Sequence, residues 1–392
     1  MKILYHHRIR SKDGQYVHVE ELVHALRAAG HEVVIVGPAR VEAARFGADA
    51  GIVAALKRAL PRALYELLEL CYSIPAFFRL VRAVRRVRPD FIYERYNLLF
   101  PAGIWAKRLT GLPLFLEVNA PLFAERSRFG GISLRRLARW SERYVWRGAD
   151  QVLVVTGVLG GYVRDAGVPA ERIHVIPNGI NRERFGAAPS PEQARAALGL
   201  KGRCVLGFVG FIREWHGLER VIEFLAAERD ERLHLVMVGD GPARAGLEKL
   251  AERLDVSRQV SFTGIVDRER VASYIAAFDV ALQPAVVEYA SPLKLFEYLA
   301  LGKAIVAPDS ANIREVLTHD ENALLFDPRD TNAQREALRR LCADAALRER
   351  LGRAAAATVE RLGLTWEHNA ERVIRLARAT CATDDAPVVE RG

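Results

Sequence analysis

Two doubly wound α/β domains in a single chain are the fold this sequence predicts, on three observations. Short apolar runs alternate with helix-length amphipathic segments; the alternation pauses at Pro177-Asn178-Gly179 and restarts beyond Gly202; and 392 residues suffice for two or three domains at ~150 residues each. Half of the residues are hydrophobic and 27% are charged, a balance that excludes a disordered, collagen-like or coiled-coil chain.

The elements follow in order. Residues 3–5, 33–36, 91–93, 114–118, 151–155 and 173–176 are short, almost wholly apolar runs, as strands buried on both faces require. Helices are expected over 16–29, 99–109, 134–147 and 158–166, with two basic helices between residues 57 and 88, completing one parallel sheet covered on both sides. The stretch from 181 to 202 holds Pro189, Pro191 and a short helix near 193–198, which suits an interdomain link. Strands at 205–209, 233–238, 260–262, 280–283 and 304–307 then alternate with helices at 218–227, 244–254, 268–277 and 292–301, a second Rossmann-like unit. Helices over 332–344, 345–361 and 366–379 follow. The expected bounds are therefore an amino-terminal domain 1–180, a link 181–202, a second domain 203–365, a helix 366–380 that crosses back toward the first domain, and a flexible tail 381–392. The two domains are expected to face each other across a cleft.

No apolar run reaches the ~18 residues of a spanning helix, and residues 1–8 carry no signal-peptide stretch. The expected location is the cytoplasm, including the inner face of the cell membrane. Cys71, Cys204, Cys342 and Cys381 lie far apart with no Cys-x-x-Cys, so neither a disulfide framework nor a zinc site is indicated. The charge is uneven: residues 1–180 hold 27 of the 57 Lys and Arg but 16 of the 48 Asp and Glu, net +11 within a total of +9. Its densest part is 57–88, where Lys57, Arg58, Arg62, Arg79, Arg82, Arg85, Arg86 and Arg88 face only Glu66 and Glu69. Leu56, Leu60, Leu64, Leu67, Leu68 and Cys71 recur there at helical spacing. Such a basic amphipathic surface suits an anionic membrane, at about 1 kcal/mol per cation near the headgroups. A solvated helix face is the plainer alternative, and no nucleic-acid motif accompanies the charge.

Ligands of open α/β sheets sit beyond the carboxyl ends of strands, and here those loops are rich in glycine: Asp13-Gly14-Gln15, Gly207 and Gly210, Gly239-Asp240-Gly241, and Gly264. Glycine lets backbone N–H groups approach a phosphate. Taken alone, Gly239-x-Gly241 reads as a tight turn more readily than as a phosphate cradle, and no Gly-x-Gly-x-x-Gly opens either domain, which argues against a dinucleotide dehydrogenase. The segment Ser291-Pro292-Leu293-Lys294-Leu295-Phe296-Glu297-Tyr298 is richer. Ser291 can cap a helix, Pro292 suits its first position, and the N–H groups of Leu293 and Lys294 beside the Lys294 cation make an anion site. Glu297 follows on the same face ~4.5 Å along the axis, where a carboxylate can bind a diol. An ion pair between Lys294 and Glu297 on a solvated helix is the other reading.

Four segments jointly resemble the retaining glycosyltransferases of family 4, and the two halves resemble the GT-B fold, over nearly the whole chain. They are Asp13-Gly14-Gln15-Tyr16; Val175-Ile176-Pro177-Asn178-Gly179-Ile180-Asn181 with Phe185; Phe208-Val209-Gly210-Phe211-Ile212-Arg213 with Trp215-His216-Gly217; and Ser291 to Tyr298 with Ala300 and Gly302. The resemblance implies a UDP- or GDP-linked sugar as donor. Gly14 would approach its diphosphate, Arg213 would bind it, Leu293 and Lys294 would hold it at the helix end, and Glu297 would bind the ribose. Gly210, His216 and Gly239 would line the donor loops, and Ile265, in Gly264-Ile265-Val266, would meet the base.

Three positions depart from the family pattern. Tyr289 stands where a Glu is usual, with Glu288 off register by one; His216 replaces a Lys; and Asn119 replaces a His in the first domain. Asn119 can still bond a sugar hydroxyl, and Glu117 and Glu125 are further acceptor-side candidates. His216 would help most when protonated. The implied reaction is transfer with retention, the departing phosphate taking the acceptor proton, with no metal and no further cofactor. The expected acceptor is lipid-linked, a glycan or another membrane-proximal hydroxyl compound of envelope or polysaccharide synthesis, because the positive excess falls on the acceptor half. A nucleotide-sugar 2-epimerase on the same fold and a non-catalytic membrane- or polyanion-binding relative are the alternatives.

Overall fold

The apolar runs are strands, and every strand pairing is parallel. The structure is a computed structural model that describes residues 1–9, 14–38 and 60–384, and the chain divides into unit 1, Met1–Pro177 with Trp366–Gly392, and unit 2, Asn178–Thr365. Unit 1 carries β1 (Lys2–His6), β2 (Glu32–Val36), β3 (Phe91–Arg95), β4 (Leu114–Val118), β5 (Gln151–Val154) and β6 (Ile173–Val175), in the order β2-β1-β3-β4-β5-β6. Unit 2 carries β7 (Cys204–Val209), β8 (Leu233–Val238), β9 (Val260–Phe262), β10 (Val280–Leu282), β11 (Ala304–Pro308) and β12 (Leu324–Phe326), in the order β12-β11-β10-β7-β8-β9. Counted within unit 2, that is the doubly wound order 3-2-1-4-5-6.

Two-sided burial explains the composition of the strands. Leu206 and Phe208 of β7, with Leu233, Leu235 and Met237 of β8, enter one apolar cluster, while Val205, Val236 and Val238 enter another on the opposite face. Each strand thus feeds two cores at period two, which leaves few positions for a polar residue.

β12 has no counterpart among the expected strands. It is three residues long and follows directly on the Asn322 turn, too short for a period to register, and it forms only when β11 offers an edge. The stretch expected as a link carries helices Arg182–Gly186 and Pro191–Ala197. Asn181 caps the first, a Ser190–Gln193 capping box opens the second, and Ala194 packs on Ala276 and Ala277 within unit 2. The last helix runs Trp366–Asp384, past its expected end; residues 385–392 of the expected tail lie outside the described residues. It rests on helix Gly14–Ala28, with Trp366 edge-on to His18 at 4.8 Å, and its Asn369 donates to the Pro177 carbonyl at 2.7 Å.

The basic region is amphipathic in the opposite sense to the one its leucines suggest. Lys57 and Arg58 lie outside the described residues. In helix Arg62–Cys71 the acids are inside: Glu66 accepts the N–H groups of Ser133 and Leu134 at 2.8 and 2.7 Å, and Glu69 takes both forks of Arg126 at 2.8 and 3.2 Å. Satisfying those donors turns Leu64, Leu67 and Leu68 to the surface, and Ile74 and Phe78 of helix Ser73–Val87 prolong the exposed stripe. Arg79, Arg82, Arg85 and Arg86 are exposed beside it. Among the described residues no helix is long and apolar enough to cross a membrane.

Candidate functional site

Ligands of an open parallel sheet meet the carboxyl ends of strands where the strand order reverses. That point lies between β7 and β10 in unit 2 and between β1 and β3 in unit 1. Reactive side chains gather at both.

In unit 2 the chain leaves β7 through Gly210 and Arg213 into the single turn Glu214–His216, and leaves β10 by a loop that ends at helix Leu293–Ala300. Tyr298 fastens that helix to both strands: its buried hydroxyl accepts the Val209 N–H at 3.0 Å and donates to the Leu282 carbonyl at 3.4 Å. Lys294 lies one turn earlier on the same face. Its Nζ stands 4.0 Å from the centroid of Phe208, close enough to Gly210 that a Cβ there would approach it to 3.3 Å. At Gly239, φ is +128° and the Gly210 carbonyl occupies the place of a Cβ; the Ile212 carbonyl does the same at Gly241. The Gly239-x-Gly241 pattern is therefore a close-packing device that holds the Gly210 loop in position. Ile265, beyond the Gly264 carbonyl that accepts the Gly239 N–H at 3.0 Å, is exposed.

Helix Leu293–Ala300 starts one residue later than expected and has no side-chain cap. Pro292 is its N-cap residue, while Ser291 is engaged elsewhere, its Oγ and carbonyl accepting from Asn178 at 3.5 and 2.5 Å. An uncapped amino end of this kind binds anions through its backbone N–H groups and its dipole.

Burial governs the charges. It lowers the Lys294 ammonium to about 7, partly opposed by Glu297. His216, packed against the Phe208 ring at 5.0 Å, is lowered to about 3 by burial and then by the Lys294 and Arg213 charges. Its Nδ1 lies 3.2 Å from the Arg213 N–H, which assigns the proton of the neutral ring to Nε2. Sequence reasoning expected His216 to help most when protonated; its surroundings favour the neutral ring near neutral pH. The Arg213 guanidinium lies 4.7 Å from the ring centroids of both Phe211 and Trp215. Glu288 is exposed and Tyr289 half-buried in a loop whose Val287 and Ala290 carbonyls accept from Asn312 at 3.2 and 2.7 Å.

In unit 1 the register of β3 on β4 sets Arg95 opposite Glu117. Glu117 is buried and accepts from Arg95, from the hydroxyls of Tyr5 and Tyr93 at 3.1 and 3.0 Å, and from the Asn119 amide at 2.5 Å, with His18 Nε2 at 3.1 Å. Burial by itself would raise its pKa, but His18, Arg95 and these hydrogen bonds outweigh it and hold Glu117 well below the usual carboxylate range. Glu117 thus has its acceptor oxygens engaged within the protein, with Asn119 among its donors. Beside it His6 and Glu94 form a buried pair at 2.5 Å. Gly14 is the first residue of helix Gly14–Ala28, with Asp13 outside the described residues, and Glu125 ends the four-residue helix Leu122–Glu125. The sequence marks none of His18, Tyr5, Tyr93 or Arg95: Tyr5, Tyr93 and Arg95 lie on β1 and β3, and His18 on the helix that follows β1. Among the described residues no group of three or more His, Cys, Asp or Glu could hold a metal ion.

Comparison with known proteins bears on both units. Residues 13–179 match the family model of the glycosyl transferase 4-like domain, and residues 191–358 that of the glycosyl transferases group 1. An alpha-D-kanosaminyltransferase of Streptomyces kanamyceticus is 29% identical over 64% of this chain and 66% of its own length. A GDP-mannose-dependent alpha-mannosyltransferase of Mycobacterium tuberculosis is 26% identical over 79% of this chain and 78% of its own. In three dimensions the chain is similar to HepE of Anabaena, solved with UDP, at a TM-score of 0.77 and 18% identity over 97% of this chain and all of that one. It is similar also to a sucrose-phosphate synthase of Thermosynechococcus elongatus, at 0.74 and 20% over 98% of this chain and 100% of that one.

Proposed function

The chain belongs to the family 4 glycosyltransferases of GT-B fold, and from that premise we propose that it moves a sugar from a UDP- or GDP-linked donor to a hydroxyl acceptor with retention of anomeric configuration. The observation that carries the donor assignment is the unit 2 cluster: a half-buried Lys294 at the uncapped start of helix Leu293–Ala300, its ammonium over the Phe208 ring, with His216 packed on the same ring and bonded to the Arg213 N–H. Breaking the glycosidic bond leaves negative charge on the departing diphosphate, and donors already in place stabilise it without reorganisation. Lys294, Arg213, the helix N–H groups and the His216 Nε2–H supply those donors. A diphosphate beside Lys294 also restores the protonated form that burial disfavours, so binding and proton uptake are linked. Glu297, one turn further on, would take the ribose hydroxyls.

On the acceptor side Asn119, oriented by Glu117, is the group proposed to meet the hydroxyl-bearing substrate. No metal is assigned a role. The 2-epimerase alternative is not favoured, since the curated relatives above are transferases. A lipid-proximal acceptor is supported by the exposed stripe Leu64, Leu67, Leu68, Ile74 and Phe78 with arginines alongside, a surface suited to anionic membrane on the cytoplasmic side.

The test is a thermal-shift and initial-rate screen of UDP- and GDP-sugars. A stabilising donor is expected, with the shift abolished in Glu297→Ala at unchanged unfolding temperature of the free protein. Stabilisation that survives Glu297→Ala removes Glu297 from the site, and no stabilisation by any nucleotide sugar ends the donor reading.

A further inference from the structure

On unit 1 six arginines line a cavity of about 780 Å³ together with Trp140, Tyr144 and Gly148. Five of them come from one helix, Arg135–Gly148: Arg136, Arg139, Arg143 and Arg147 recur at three- and four-residue spacing, ~16 Å from first to last at 1.5 Å per residue. Neighbours at that spacing repel one another. Among the described residues no carboxylate lines the cavity. Glu142, the sole acid of the helix, is turned away from it, accepting from Tyr96 and the Phe123 N–H at 3.0 Å each.

Several guanidinium groups are nevertheless held in place, by rings or a carbonyl rather than by countercharges. Arg147 donates to the Ala166 carbonyl at 2.6 Å, Arg108 lies 5.1 Å from the Tyr144 ring, and Arg139 lies 5.0 Å from Phe123. Trp140 and Tyr144 are stacked with their centroids 5.2 Å apart and planes inclined by 21°, and Trp140 is 52% exposed. Cations held by rings and a carbonyl, around an aromatic platform in a groove, match a ligand with regularly spaced anionic groups and flat apolar faces. Sugar rings present C–H faces to aromatic rings, and their carboxylate, phosphate or sulfate groups fit guanidinium forks. A planar membrane does not enter such a groove, whereas a linear chain lies along it.

We propose that this groove binds an anionic oligosaccharide chain, the part of an acceptor or product remote from the reacting hydroxyl. The inference rests on the glycosyltransferase reading for why a glycan comes to this chain; its binding test does not.

The full chain is titrated calorimetrically with an oligogalacturonate, a neutral dextran of equal length, single-stranded RNA and vesicles containing anionic phospholipid. Oligogalacturonate is expected to bind in a salt-dependent manner and dextran not. Arg136→Gln with Arg143→Gln should weaken it at least tenfold, and Trp140→Ala severalfold, each leaving unfolding temperature and the nucleotide response unchanged. Equal binding of dextran and oligogalacturonate overturns the proposal, as does oligogalacturonate affinity untouched by the arginine pair. Equal affinity for RNA or vesicles with no effect of Trp140→Ala overturns the glycan assignment. Loss of the nucleotide response with retained glycan binding would count against the donor site and leave the groove standing.

Discussion

The two units bring their chemistry together in different ways, although both do so where strand order reverses. In unit 2 the site is made mainly of backbone: a turn at Gly210, a helix end and an N–H from Arg213, with Lys294 and His216 added within the same short segments. In unit 1 it is made of side chains from distant segments, Tyr5 and Glu117 being 112 residues apart and Arg95 and Glu117 22 apart. A backbone site is written as a contiguous motif and withstands change around it; a side-chain network depends on every member being present.

The largest effect should therefore come from the hub of unit 1. Glu117→Leu leaves Arg95 buried without its countercharge, and breaking such a pair costs about 3–5 kcal/mol. Chemical denaturation should show that loss, while a nucleotide still binds unit 2. Because its folded pKa is depressed, the stability Glu117 gives is complete above 4.5 and falls away as pH drops toward the folded value. Unaltered stability would mean that the network is not the hub described.

Lys294→Met should behave in the reverse sense. Donor turnover should fall by about 10²–10³, as when one preorganised charge-stabilising donor is removed. Stability at neutral pH should rise, because the folded pKa of about 7 lies below the ordinary 10.5, so protonation opposes folding from pH 10.5 downward and fully below 7. Rates and melting temperatures measured together check it; a loss of both would make Lys294 a structural residue.

A smaller effect follows from the same group. Donor affinity should weaken as pH rises above about 7, by up to about tenfold per unit, and binding near neutrality should take up a proton, seen as a dependence of calorimetric heat on the buffer's ionisation enthalpy. His216, lowered to about 3, should contribute no inflection between pH 5 and 8. The smallest effect is expected at the surface of unit 1: Leu67→Ser with Phe78→Ser should lower partition onto anionic vesicles severalfold without touching stability, and equal binding to neutral vesicles would remove the arginines from the interaction.

Alternating apolar runs and helix-length segments determined the two parallel sheets, because burial on both faces makes most strand positions apolar. The segment around Lys294 was equally legible, since a proline, a cation and a carboxylate at helical spacing act locally. Tertiary structure alone decided the rest. β12 needs an edge supplied by β11; Glu66 and Glu69 face inward because donors at residues 126, 133 and 134 await them, so the leucines of that helix face out. Glu117 becomes a hub, and His216 neutral, through neighbours and burial that a linear sequence does not contain. Local chemistry travels with the chain, whereas the energy of a buried charge is set by what surrounds it in space.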